Sequence, residues 1–194
     1  MRNVPERLRS RRLKLEEASE EGFTLIELLV VLLIIGILLA IAIPTFLSVT
    51  KTANNTAAQA NLQTALTGAD TYYTSNNQTY SGVDVAGQGV SNISQIDTGL
   101  TYVSGSSSTK ANVIALEVAG GKTVLMLAAF SPGTNDCWLV LDQKSAQTTA
   151  ISAAPLPAGT YYDVIKNSST STCTAPPATA PAAASWSTTG FPKG

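Results

Sequence analysis

The sequence contains no histidine, and charged residues make up only 13% of its 194 residues. Histidine is the commonest general base and the commonest metal ligand in proteins, so chemistry that depends on it is excluded. No glycine-rich phosphate loop is present, because Gly120-Gly121-Lys122-Thr123 lacks the upstream glycine at the required spacing. A Gly-x-Ser-x-Gly nucleophile motif is also missing. We therefore expect a protein that is not an enzyme and that holds no cofactor.

The carboxylates of the C-terminal half are scattered rather than clustered. Asp136, Asp142 and Asp163 are isolated and show no ligand spacing for calcium, so we expect no metal site. The formal net charge of the chain is −1, which implies no general attraction to nucleic acid.

One long apolar run interrupts this polar chain. Leu28 to Ile43 reads LLVVLLIIGILLAIAI, and with Phe23 to Glu27 it makes a segment of 21 residues. Such a helix spans roughly 31 Å, about the thickness of a bilayer's hydrocarbon core. A secretory signal peptide is the alternative, but its apolar region is usually only about 7–15 residues long. We predict a single membrane span.

The charged stretch before this segment predicts its orientation. Residues 1–22 hold six basic and five acidic residues. Because basic residues stay on the cytoplasmic side, the N-terminus should remain inside and the rest of the chain should be exported.

Glu27 is the one charged residue within the apolar segment. An unpaired carboxylate at this depth costs about 2–3 kcal/mol or more, so such a residue usually has a functional partner. If the chain were cut after Gly22, Phe23 would carry a new α-amine one helical turn from Glu27. That amine could pair with Glu27 of the same chain or of a neighbouring subunit, and pairing would offset desolvation. The alternative is a carboxylate that reaches out to the membrane interface.

The string Glu-Gly-Phe-Thr-Leu-Ile-Glu-Leu-Leu at residues 21–29 resembles the cleavage and methylation motif of type IV prepilins. The resemblance implies that residues 1–22 are a leader peptide, removed by a membrane-embedded aspartyl prepilin peptidase that cuts after Gly22. It also implies N-methylation of Phe23, and a Glu27 that directs methylation and docks each new subunit into a growing filament. A residue without Cβ at position 22 lets a peptidase approach the backbone closely. The sequence departs from the motif at Glu21, where many members have a basic residue.

The rest of the chain divides into three parts. We expect residues 23–44 to form a transmembrane helix, which the resemblance implies is also the filament core, residues 45–76 the amphipathic half of the same helix, and residues 77–194 a globular head with a connecting αβ-loop. Gly36 and Pro44 interrupt the helix, and a kink is expected near Pro44. The resemblance implies that the stretch between them can melt in a filament.

Apolar residues three or four apart mark the amphipathic half, and they predict one stripe that packs on the head. The stripe comprises Phe46, Val49, Ala53, Ala57, Ala58, Leu62, Ala65, Leu66, Ala69, Tyr72 and Tyr73.

We expect an α+β protein in which the long helix packs on a small antiparallel sheet of three to four strands, and the resemblance implies the type IV pilin fold. Residues 76–110 are rich in Ser, Gly, Asn and Thr, which predicts a connecting loop with one short helix around Val90–Asp97. The predicted strands are Asn112–Ala119, Thr123–Phe130 and Cys137–Asp142, with Tyr161–Ile165 as a fourth strand or an ordered part of the closing loop.

Cys137 and Cys173 are the two cysteines. An even count in an exported chain indicates a disulfide, although two buried thiols are the alternative. The bond would attach a Ser/Thr/Ala/Pro-rich C-terminal region to the sheet, and Trp186 and Phe191 are expected to hold that region too. The resemblance implies that this region lies at the filament surface.

The function that the resemblance implies is a structural subunit of a type IV pilus. Its partners would be further copies of the chain, the prepilin peptidase, an assembly platform with its ATPase, and membrane lipid before assembly. The subunit would lie in the cytoplasmic membrane first and in an extracellular pilus afterwards. Two alternatives remain: a pseudopilin of a type II secretion system, which a calcium site would favour, and a minor pilin in adhesion or DNA uptake, which a basic surface strip would favour.

Overall fold

The computed structural model describes residues 22–83, 93–104, 107–145, 156–168, 173–175 and 185–192. The chain divides into two compact units between Phe46 and Leu47. The predicted leader lies outside the described residues except for Gly22.

Helix α1 covers Leu25–Ser75 and contains Pro44. Its apolar part is exposed along its whole length and is long and apolar enough to cross a membrane. Because proline has no N–H, it leaves a carbonyl of the preceding turn without its usual donor. The carbonyl concerned is that of Ala40, and the hydroxyl of Thr45 donates to the next two carbonyls, those of Ile41 and Ala42, at 3.2 and 2.9 Å. The predicted kink at Pro44 and the melting between Gly36 and Pro44 stay predictions.

The head contains a five-stranded sheet in the order β1-β2-β3-β4-β5. The strands are β1 (Thr101–Ser104), β2 (Val113–Ala119), β3 (Val124–Ser131), β4 (Asp136–Gln143) and β5 (Gly159–Ile165). A short helix, α2, covers Ile93–Ile96, and a 3₁₀ turn at Gly120–Lys122 joins β2 to β3. Four strands and the short helix lie where the sequence predicts them, and the α+β class is confirmed.

Strand β1 corrects two expectations: the sheet has five strands rather than three to four, and it is mixed rather than antiparallel. Thr101 pairs with Val113 and Ser104 with Leu116, and this pairing is parallel. The sequence prediction placed β1 within a loop because its four residues stand between Gly99 and a Ser/Gly-rich stretch. Parallel neighbours normally need a longer connection than the eight residues between these two strands, so nothing local indicated the pairing.

One face of the sheet packs against α1. The helix buries Ala58, Leu62, Ala65, Leu66, Ala69 and Tyr72 in a core with residues of β2, β3 and β4. The predicted stripe is therefore confirmed from Ala58 onward and wrong before it, because Phe46, Val49, Ala53 and Ala57 are exposed. The sheet reaches only as far as the β3–β4 turn, where Asn54 Nδ2 donates to Pro132 O at 2.6 Å. The apolar stripe of the helix therefore starts before Ala58, at residues that have no sheet surface to pack on.

The opposite face of the sheet is covered as well, which explains why every residue of β3 and β4 is buried. Cys173, Ala175 and Trp186 pack there against residues such as Met126 and Leu139. The predicted disulfide joins Cys137 to Cys173, with the Cα atoms 5.4 Å apart. Cys173 also exchanges two backbone hydrogen bonds with Ser108.

The last described segment passes around the edge strand β5. Ser187 exchanges two backbone hydrogen bonds with Tyr162, while Trp186 lies in the core of the second face. Phe191 packs edge-on against Trp138 and Tyr162 on the helix-covered face. The expected anchoring by Trp186 and Phe191 is confirmed, and the two aromatics hold opposite faces of the sheet.

A charged cluster links α1 to the ends of β4 and β5. Lys144 Nζ lies 2.6 Å from Asp70 Oδ1 and 3.0 Å from the buried Asp142 Oδ2. Asp142 also accepts hydrogen bonds from the hydroxyls of Tyr80 and Thr160. Burial lowers the pKa of the Lys144 ammonium, but the hydrogen bonds to both aspartates outweigh burial and the pKa is raised. The cluster thus carries a charged lysine at neutral pH, which compensates the buried Asp142.

Candidate functional site

The site with the strongest sequence signal lies where α1 begins. Gly22, Phe23 and Thr24 precede the first helical residue, and all three are exposed. A Cβ added to Gly22 would meet nothing within 4 Å in the described part of the chain. The backbone between Gly22 and Phe23 is therefore outside the helix and flanked by exposed residues.

Thr24 and Glu27 form a capping box at this helix start. Thr24 is the N-cap residue, since its carbonyl accepts the first helical bond, from Leu28 N. Its backbone N–H and its hydroxyl both donate to Glu27 Oε2, at 2.8 and 2.7 Å. In return Glu27 N donates to Thr24 Oγ1 at 3.3 Å. This reciprocal arrangement satisfies two backbone N–H groups that a helix start otherwise leaves without partners.

The capping box fixes which part of the Glu27 carboxylate can meet a partner. Both bonds from Thr24 end on Oε2, and Oε1 has no hydrogen bond from any described residue. A cation that approaches the helix start therefore finds one carboxylate oxygen oriented by Thr24 and the other open. The positive end of the helix dipole lies at the same place and favours the ionised carboxylate.

Thr24 is the functional residue that the sequence prediction missed. The pattern Thr-x-x-Glu before an apolar run is the sequence signature of a capping box, and residues 24–27 carry it in full.

The three aspartates that were considered as calcium ligands, Asp136, Asp142 and Asp163, each bind a different partner. Asp142 binds Lys144, Asp136 Oδ1 accepts from Asn167 N at 3.1 Å, and Asp163 Oδ2 accepts from Ser185 Oγ at 2.6 Å. The described residues contain no group of three or more His, Cys, Asp or Glu side chains that could hold a metal ion.

Comparison with known proteins identifies the motif and the family. Residues 18–43 match the family described as the prokaryotic N-terminal methylation motif. Over 117 residues the chain is 37% identical to the type IV wide pilus major component PilA4 of Thermus thermophilus. The aligned region covers 60% of this chain and 78% of that protein. No solved structure matches the chain significantly. With a methylation motif at the start of an exposed apolar helix, an α+β head behind it and this degree of identity, the chain belongs to the type IV pilin family.

Proposed function

We propose that this pilin is cut between Gly22 and Phe23, is N-methylated on Phe23, and then polymerises into a helical surface filament of a type IV pilus. The observation that carries the proposal is the capping box, which presents Glu27 one turn from the new terminus. Residues 23–44 span the cytoplasmic membrane before assembly, with the N-terminus inside, and form the filament core afterwards.

The cut leaves the capping box intact. Its donors are the backbone N–H and the hydroxyl of Thr24, and both remain after Gly22 is removed. The cut adds a cationic amine at Phe23, beside a carboxylate whose Oε1 is open. An ionic pair between this amine and Glu27 of a neighbouring subunit offsets the desolvation of both groups when packed helices bury them.

The exposed apolar surface of α1 requires a nonpolar environment. Twenty large hydrophobic side chains of the described residues are exposed, and nineteen of them lie between Phe23 and Val49. Soluble monomers rarely expose contiguous apolar patches larger than a few hundred Å². Lipid covers this surface before assembly, and helices of other copies cover it in the filament.

The partners follow from this cycle. A prepilin peptidase makes the cut, and a membrane platform with a separate ATPase drives assembly, because the sequence carries no phosphate loop. A pseudopilin of a type II secretion system would share the same helix start. The disulfide that closes the C-terminal region favours the pilin, and no described feature favours the pseudopilin.

The cutting step is tested by Gly22→Val. A β-branched side chain should hinder the approach of the peptidase to the backbone, so the fraction of cut chain should fall at least tenfold, about 1.4 kcal/mol in barrier. A Cβ at this position meets no described atom within 4 Å, so the chain's own structure should accept the substitution. Immunoblots of membranes would separate the cut and uncut forms by size.

Gly36→Ala is the control, because a Cβ at Gly36 also meets nothing within 4 Å and Gly36 lies in α1, away from the proposed cut. Its cut fraction should equal that of the wild type. Equal cutting of the Gly22→Val chain would contradict the proposed site.

A further inference from the structure

Three exposed lysines gather at one end of the head. This end is defined by the β3–β4 turn, Pro132–Asn135. A Cβ on Gly133 of that turn would lie 3.6 Å from Lys51 Cγ. Lys166 directly follows β5, and the next amide donates to Asp136. Lys110 precedes β2, which starts at this end of the sheet.

Acidic residues dominate the opposite end, which is defined by the β2–β3 turn and the last turns of α1. Asp70 and Asp142 bind Lys144 there. Asp97 lies beside Gly68 of α1, and Glu117 stands three residues before the turn at Gly120–Lys122. Lys122 is the other basic residue at this end among the described residues.

The two ends therefore differ in sign. Among the described residues, the first, named here the basic end, has the exposed Lys51, Lys110 and Lys166 against the buried Asp136, a net charge of +2. The second, the acidic end, has four described carboxylates and two described lysines, a net charge of −2. Asp163 lies between them, paired in register with Leu139 in the middle of β4. The small net charge of the whole chain conceals this polarity.

We propose that the basic end of one copy contacts the acidic end of the next copy in the filament. This inference rests on the proposed function, and it names the head surfaces that meet. Each copy carries both complementary surfaces, so no second protein is required. A contact between two different surfaces of the same chain is heterologous and, when it does not close a ring, produces a helical filament. Complementary charges steer the encounter and disfavour the wrong register.

Zero-length cross-linking of filaments tests the contact directly. Filaments would be grown from a mixture of unlabelled and nitrogen-15-labelled chains and treated with a carbodiimide, which joins an amine to a carboxylate in direct contact. Mass spectrometry should find mixed-label peptides that join Lys51 or Lys166 to Asp70, Asp97 or Glu117. If wild-type filaments yield mixed-label cross-links only elsewhere, the proposed contact is wrong.

The variant K51E/K166E reverses the basic end and should lower filament yield about tenfold, because like charges then meet across the contact. Both side chains are exposed, so the head should fold normally, and near-ultraviolet circular dichroism of the detergent-solubilised chain would verify this. Thr188→Glu is the control: it adds a negative charge at an exposed residue beside the middle of β5, away from both ends, and should leave the yield at the wild-type level.

The outcomes separate this inference from the proposed function. Wild-type cells without filaments would refute the function itself. Wild-type filaments together with a folded K51E/K166E chain that assembles normally would refute only the contact. If K51E/K166E loses filaments but wild-type filaments lack the basic-to-acidic cross-links, the lysines serve another partner, such as anionic lipid or nucleic acid, and the contact between copies is also refuted.

Discussion

Replacing Glu27 by alanine should reduce the yield of sheared filaments by at least a hundredfold while leaving the cut after Gly22 in place. The variant removes the only carboxylate described in the apolar segment, so, on the proposed pairing, the Phe23 amine of a docking subunit would be buried without its partner. Breaking a buried ion pair by removing one partner costs about 3–5 kcal/mol, which corresponds to more than a hundredfold in an equilibrium constant. Quantitative immunoblots of sheared and membrane fractions would measure both the yield and the cut.

Two companion variants separate charge from helix capping. Glu27→Gln keeps an oxygen that can accept from Thr24 but has no charge, so it should assemble almost as poorly as the alanine variant. Thr24→Val removes the hydroxyl bond but leaves the backbone N–H donor and the carboxylate, so its loss should be smaller, about threefold to tenfold. Normal filament yield from Glu27→Gln would contradict the ionic pair.

Removing the disulfide should produce the largest loss of stability in the head. For a bridge between residues 36 positions apart, the chain-entropy model gives about 3–4 kcal/mol. The variant Cys137→Ala/Cys173→Ala also weakens the attachment of the segment that covers the second face of the sheet, because only the backbone pair with Ser108 would then link residue 173 to the described chain by hydrogen bonds. Urea unfolding of the detergent-solubilised chain, followed by the fluorescence of the two buried tryptophans, would measure the change.

Reductant provides the control for this experiment. The unfolding free energy of the wild type should fall to that of the double variant once the bond is reduced, whereas the variant itself should not respond. If the unfolding free energy of the variant lies within about 0.5 kcal/mol of that of the oxidised wild type, the disulfide contributes no more than an ordinary surface residue does.

The sequence was informative wherever one structural period persisted over many residues. The apolar run from Leu28 to Ile43 predicted the first half of α1, and apolar runs between turn residues predicted β2, β3 and β4. The helix start lies within the motif at residues 21–29, where the cost of a carboxylate in an apolar segment drew attention to Glu27.

Features that depend on distant residues were not predictable in the same way. Asp70 and Lys144 are 74 positions apart, and neither carries a local signal of the pairing. Strand β1 has only four residues and pairs in parallel over a short connection. The charge difference between the two ends of the head depends on where the fold places each charged residue. The net charge of the sequence, −1, indicated only a weakly acidic chain.

The central claim is that the junction at Gly22 and Phe23 creates the amine that Glu27 needs. Intact-mass and peptide mass spectrometry of sheared surface filaments tests this most directly. The account predicts a subunit that begins at N-methyl-Phe23 and contains the disulfide between Cys137 and Cys173. Filaments built from chains that still begin at Met1 would contradict it.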